Sequence, residues 1–218
     1  MTRRPLPTTI EAAAVWSSLH HGIDPRANRL LWCWLRLSWA IARPFARLRV
    51  HPIVFTVLGL NAAIHATAWR WHRTAFWIAF SLVLAAVVCD ALDGAVAVLA
   101  DQASRWGATA DKVADRLSDI CFAIVLWRCG ASGWLALGAA IAMLAVEGLR
   151  ESRRGALLAA LTVGERPSRA VCTLVACVAA AASRARWPAA VCAWVWIGLS
   201  LIALVQLARV ARSDVRAS

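Results

Sequence analysis

Residues 90–115 read DALDGAVAVLADQASRWGATADKVAD. Aspartates stand at 90, 93, 101, 111 and 115, the first two and the last two at helical spacing, with Gly94, Ala97 and Gly107 among them. The flanks differ in kind: residues 75–89 read AFWIAFSLVLAAVVC and residues 120–127 read ICFAIVLW. A carboxylate inside such an apolar run costs several kcal/mol unless it is paired, hydrated or metal-bound, so acidic residues at that depth read as a functional site.

The rest of the chain supports a membrane setting. Of its 218 residues 61% are hydrophobic and 17% charged, with a mean hydropathy of +0.63, outside the range of ordinary soluble domains. Apolar runs near 53–69, 75–99, 107–127, 131–149, 167–183 and 187–208 approach the ~20 residues a bilayer-spanning helix needs. The expected fold is all-α, a polytopic membrane protein of six transmembrane helices. Residues 29–49, RLLWCWLRLSWAIARPFARLR, mix Trp and Leu with Arg around Pro44 and read as an amphipathic interfacial helix with its arginines on lipid headgroups. Residues 1–28 show no signal-peptide pattern and read as a flexible cytoplasmic leader. Residues 50–212 then form the six-helix domain, and 213–218 a cytoplasmic tail.

Charge sets the orientation. With both termini on one side, that side collects 17 arginines against 5 opposite, which places the termini, the aspartates and the loop between the fourth and fifth spans in the cytoplasm. The net charge of +12 sits at span ends, where membrane lipids and an anionic substrate account for it better than nucleic acid does. The seven cysteines have no CxxC spacing and read as small apolar residues rather than as a zinc or disulfide framework. Arginine in large excess over lysine, with no tyrosine, suggests a GC-rich bacterial genome.

Asp90 and Asp93 are three apart and Asp111 and Asp115 four apart, so each pair shares a helix face. A hairpin joined near residues 100–106 brings the four together, and a divalent cation relieves their repulsion. All-oxygen ligation favours Mg²⁺ or Mn²⁺ over zinc. Carboxylates, a hard cation, bare glycines and nearby arginines suggest phosphoryl or phosphatidyl transfer.

The order Asp90-x2-Asp93-Gly94-x2-Ala97, then Gly107-x3-Asp111-x3-Asp115, resembles the signature of the CDP-alcohol phosphatidyltransferases. Val98 stands where that signature has an arginine, the single departure among its fixed positions. His51-Pro52-Ile53-Val54-Phe55-Thr56 with Gly59-Leu60 is similar to the opening of that family's first span. Gly164-Glu165-Arg166-Pro167-Ser168-Arg169 is similar to an element of actinobacterial members, the phosphatidylinositol phosphate synthases included; phosphatidylglycerophosphate synthase-like enzymes are the other nearest group. The resemblance implies transfer from a CDP-linked lipid donor to an alcohol acceptor, with CMP released. It implies that Asp90, Asp93, Asp111 and Asp115 hold the metal and that Asp115 is the general base. It further implies that Thr56, Gly94, Ala97 and Gly107 accommodate the nucleotide and that Arg150, Arg166 and Arg169 hold the acceptor. Many members dimerise, so a homodimer is compatible with it. Arg105 or Arg116 could stand in for the missing arginine.

Two other readings follow from the same residues. Val98 is compatible with a catalytically silent relative. Intramembrane carboxylates could also line an ion or proton pathway in a transporter, although the first, fifth and sixth spans are almost purely apolar. Asp119 continues the face of Asp111 and Asp115 and is read as either a supporting or a helix-end carboxylate, while Asn61, His65 and His72 are read as interfacial packing.

Overall fold

The computed structural model describes residues 6–19, 22, 24–68, 73–152, 162, 165–183 and 185–217. Regular structure among them is helical throughout, without a strand. In chain order the helices are α1 (Thr9–Leu19), α2 (Arg29–Arg47), α3 (Ile53–Ala66), α4 (Arg73–Leu99), α5 (Arg105–Arg128), α6 (Gly133–Ser152), α7 (Arg166–Ala182) and α8 (Trp187–Ala217), with a 3-10 turn at Pro25–Ala27. The chain forms two compact units, Met1–Gly59 with Val87–Ala114 and Leu60–Ala86 with Asp115–Ser218.

Local chemistry sets the helix ends of the first unit. Part of the segment expected as a leader is helical, and α1 opens on a capping box. The Thr8 amide donates to Glu11 Oε2 at 2.7 Å and the Glu11 amide donates to Thr8 Oγ1 at 3.3 Å, which satisfies two amides that a helix start leaves over. Asn28 Oδ1 accepts from the Leu31 amide at 3.3 Å and starts α2. α2 closes through Arg49, at φ 56°, as the Val50 amide reaches Phe45 O and the Arg49 amide reaches Ala46 O, both at 3.1 Å. That is the paired closure usually made by glycine in the left-handed region. α4 stops in the same region at Asp101, φ 55°, with the Gln102 amide on Ala97 O at 3.0 Å. Ser104 then begins α5 by accepting the Gly107 amide at 3.0 Å. The expected α4–α5 hairpin is therefore built by a left-handed stop and a serine start.

The first unit's core buries one face of α2. Leu35, Trp39, Ala42 and Ala46 recur at helical spacing and pack with Phe55, Leu92, Val96, Val98 and Leu99. Phe45 and Phe55 meet edge to face at 5.1 Å between ring centroids, a geometry the ring quadrupoles favour. In the second unit α8 packs on α6 and on α7. Val146 of α6 is buried with Ala203, Leu207 and Ala211 of α8. Apart from Arg169, the buried face of α7 is made of small residues, among them Ala170, Ala176, Cys177 and Ala180, which lets helix backbones approach closely.

Three described helical segments are long and apolar enough to cross a membrane, Thr74–Leu99, Gly133–Glu151 and Trp187–Arg212, and α3 is a shorter apolar helix. Six spans were expected, and every expected range carries a helix. The shortfall has physical causes: α3 has 14 residues, α7 has 17, and Asp111, Lys112, Asp115, Arg116 and Asp119 interrupt the apolar run of α5. Large apolar side chains such as Trp77, Leu84, Ile141, Trp194, Leu201 and Val205 are exposed, more than a water-facing surface carries without a partner phase.

Trp39 is 2% exposed and Trp34, on the same helix, is 47% exposed. Trp39→Ala is expected to lower stability by ~3–5 kcal/mol through the cavity it leaves, whereas Trp34→Ala changes it by less than ~0.5 kcal/mol. Thermal unfolding of both variants in detergent measures the difference.

Candidate active site

Asp90 and Asp93 lie one turn apart on α4, and Asp111 lies in the second turn of α5. One carboxylate oxygen from each can be chosen so that all three lie within 4.8 Å of one another. Asp93 is 6% exposed, and Thr56 of α3 donates its hydroxyl to Asp93 Oδ2 at 2.8 Å. A hydroxyl on one of its oxygens restrains the Asp93 carboxylate beside Asp90 and Asp111. Three anionic groups at this separation repel in a partly buried setting, and a cation among them reverses the sign of the interaction.

These residues face a cavity of about 800 Å³ within the first unit. Its lining includes Asp90, Asp93, Asp111, Thr56, Gly94, Ala97 and Gly107. Added to Gly94, a Cβ would meet nothing within 4 Å, so no protein neighbour demands glycine there and the bare backbone is available to a ligand. Gly107 differs: a Cβ would sit 3.0 Å from Ser104 Oγ, the group that starts α5. Its bareness therefore serves the helix start as well as the cavity. Oxygen donors alone, in a cluster of three, suit Mg²⁺ or Mn²⁺ with positions left for phosphate oxygens.

Val98, in the place of the signature arginine, is buried in the apolar core of the first unit and also touches the cavity. Of the residues named to replace that arginine, Arg105 lines the cavity together with Lys112. Arg116 is engaged in the second unit, where it pairs with Glu151 at 2.7 Å.

The remaining expected site residues lie in the second unit. Asp115, one turn beyond Asp111 on α5, is ion-paired with Arg166 at the start of α7. Arg169 is 4% exposed and pairs with Glu147 at 3.0 Å and with the equally buried Asp119 at 3.4 Å. Arg150 donates to Glu165 at 2.8 and 3.2 Å and to Thr162 Oγ1 at 3.1 Å. Burial alone would raise the Glu165 carboxyl, but hydrogen bonds from Arg150 and Thr162 outweigh it and hold the group below the usual glutamate range. A carboxylate lowered in this way stabilises the fold above its unfolded-state pKa, and the contribution is lost as pH falls through the folded one. Each arginine expected to hold the acceptor thus has a carboxylate partner. Glu147, Glu165 and Asp119 were not expected in that role, although the spacing of Glu147 and Arg150, three apart on one helix, is a signal of pairing. Gly164, Arg153, Arg154 and His72 lie outside the described residues.

Residues 49–209 match the CDP-alcohol phosphatidyltransferase family, and the chain belongs to it. Among curated proteins it is similar to the CDP-diacylglycerol–glycerol-3-phosphate 3-phosphatidyltransferase of Cereibacter sphaeroides, 36% identical over 107 residues that cover 46% of this chain and 48% of that one. It is also similar to the phosphatidylinositol phosphate synthase of Mycobacterium bovis, 32% identical over 93 residues that cover 42% and 43%. The chain spans about half the length of the curated relatives it matches.

Thr56→Val removes the hydroxyl that pins Asp93 without adding bulk. It is expected to weaken Mn²⁺ binding by ~10–100-fold, the usual effect of losing a group that orients a ligand, as read by isothermal titration on the purified protein. In the second unit, Arg169→Ala takes from the buried Asp119 and the partly buried Glu147 the guanidinium that pairs with both, Glu147 keeping Arg150 at 3.8 Å, and is expected to cost ~3–5 kcal/mol, seen as a lowered melting temperature.

Proposed function

We propose that this protein moves a phosphatidyl, or another substituted phosphate, from a CDP-linked donor such as CDP-diacylglycerol to an alcohol acceptor and releases CMP. The observation that carries this reading is the trio Asp90, Asp93 and Asp111, gathered within 4.8 Å beside an ~800 Å³ cavity by residues spaced as in the matching family. The names of the relatives support the reaction class.

Asp90, Asp93 and Asp111 would hold Mg²⁺ or Mn²⁺, with Asp115 completing the set. When bound, the ion neutralises the donor diphosphate and makes its phosphorus more electrophilic. Gly94 and Ala97 leave room for the nucleotide, Gly107 keeps the start of α5 close to it, and Thr56 keeps Asp93 in place. Asp115 takes the proton of the acceptor hydroxyl as its oxygen bonds to the β-phosphorus. The bond from that phosphorus to CMP breaks, and CMP departs with the electron pair. Positioning of the hydroxyl in line with the leaving group supplies much of the rate. Arg166 orients Asp115, and Arg150, Arg166 and Arg169 border the acceptor position within their carboxylate partners.

The membrane arrangement belongs to the same reading. α3 to α8 serve as six spans, α2 lies in the interface with Arg36, Arg43 and Arg47 toward headgroups, and the carboxylates and both termini face the cytoplasm of a bacterial cell. A homodimer is compatible with this arrangement. A second reading, a silent nucleotide-binding relative, is favoured by Val98, whose buried place leaves the signature arginine without a direct replacement.

CMP release by purified protein with CDP-diacylglycerol, Mg²⁺ or Mn²⁺ and a panel of alcohols and alcohol phosphates tests the reaction. Asp115→Asn is expected to keep nucleotide binding and to lose turnover by ~10²–10⁴-fold. Near-normal turnover in that variant removes Asp115 as the base, and nucleotide binding with no CMP release from the wild type favours the silent relative.

A further inference from the structure

The cavity of the first unit is walled by more than the family's own segment. The family match begins at residue 49, yet Trp16 of α1 and Leu31, Trp34 and Leu35 of α2 line the same cavity as the three aspartates. These helices are held in place by the core that contains Ala12, Ala13, Leu35 and Trp39. The wall is therefore a packed part of the first unit.

α2 has three distinct faces. Leu35, Trp39, Ala42 and Ala46 are buried in the core. Arg36 and Arg47, both exposed, and the half-buried Arg43 form a basic face. Trp34, Leu37 and Ile41, three and four residues apart and so on one side of the helix, are exposed at 47%, 55% and 44%. Trp34 belongs both to this outer stripe and to the cavity lining. An apolar surface thus leads from the carboxylate chamber to the outside of α2, with an indole at the junction. A diphosphate and a ribose make no use of such a surface, whereas acyl chains gain by every apolar contact.

We propose that the α1–α2 wall is the recognition surface for the acyl-bearing end of an amphiphilic donor, with Trp16 and Trp34 flanking the chains where they leave the cavity. This rests on the reading of the carboxylate chamber as the site of a CDP-linked donor. The polar head lies at Asp90, Asp93 and Asp111, and the chains run past Trp34 along Leu37 and Ile41. The N-terminal helices then set the preference for a lipid-linked over a water-soluble CDP-alcohol.

The test is equilibrium binding to the full chain in detergent micelles with Mn²⁺, using labelled CDP-diacylglycerol and, separately, CMP. Trp34→Ala, at a half-exposed position, is expected to weaken CDP-diacylglycerol binding by about tenfold, within the range for losing an apolar contact of that size. CMP binding stays unchanged, and Trp34→Phe restores most of the lipid affinity. Trp16→Ala gives the same pattern and guards against a local effect at one site. Equal weakening of lipid and CMP overturns the proposal in favour of an indole stacked on the cytosine, and no change in either variant reduces the wall to packing. A wild type that binds neither ligand overturns the donor reading together with this one. A wild type that binds both without releasing CMP overturns only the transfer reaction.

Discussion

Mutual repulsion among Asp90, Asp93 and Asp111 is the constraint on which the rest of the first unit depends. At separations within 4.8 Å, each pair of full charges opposes its neighbour by on the order of 3 kcal/mol at an effective dielectric near 20. A fold keeps such a group only if surrounding structure holds it and something of opposite charge makes use of it. The holding is visible: two consecutive turns of α4, a serine-started α5, and a hydroxyl from α3 on Asp93. On the proposed function, a cation and the donor diphosphate would make use of it.

The second unit solves the opposite problem. Carboxylates match the arginines expected at the site and their neighbour: Arg116 by Glu151, Arg150 by Glu165 and Glu147, Arg166 by Asp115, Arg169 by Glu147 and Asp119. A buried guanidinium left alone would cost several kcal/mol, so a charge as deep as Arg169 requires its partners for folding before any role toward an acceptor. On the proposed function, an anionic acceptor would meet guanidinium groups whose position is already set by carboxylates. That arrangement orders the arginines and reduces the net positive field they present.

Much of the fold was legible because helix periodicity and apolar length are local properties. The six apolar runs all carry helices, and the expected helix at 29–49 ends within two residues of α2, because Trp and Leu alternate there with Arg every few positions. The hairpin joint near 100–106 was legible from its polar residues, although closure through a left-handed aspartate, in a place where glycine is usual, was not. The expected leader contains α1, whose capping box from Thr8 to Glu11 was present in the sequence as a start signal and was not read. The expectation that all six runs are long and apolar enough to span holds for three described segments, because charge in α5 and shortness in α3 and α7 offset composition.

For the site, spacing alone determined that Asp90 and Asp93 share one face and that Asp111 and Asp115 share another, since a helix repeats every 3.6 residues whatever surrounds it. It also determined the chemistry of the donor set, because residue type fixes ligand hardness. Only the tertiary structure decided which groups meet: that Thr56 holds Asp93, that Asp115 pairs with Arg166, that Val98 is buried where an arginine was expected, and that Trp16 and Trp34 wall the same chamber as the aspartates. Such contacts join residues tens of positions apart, and they depend on how side-chain volume and charge are satisfied at once, which no local pattern records.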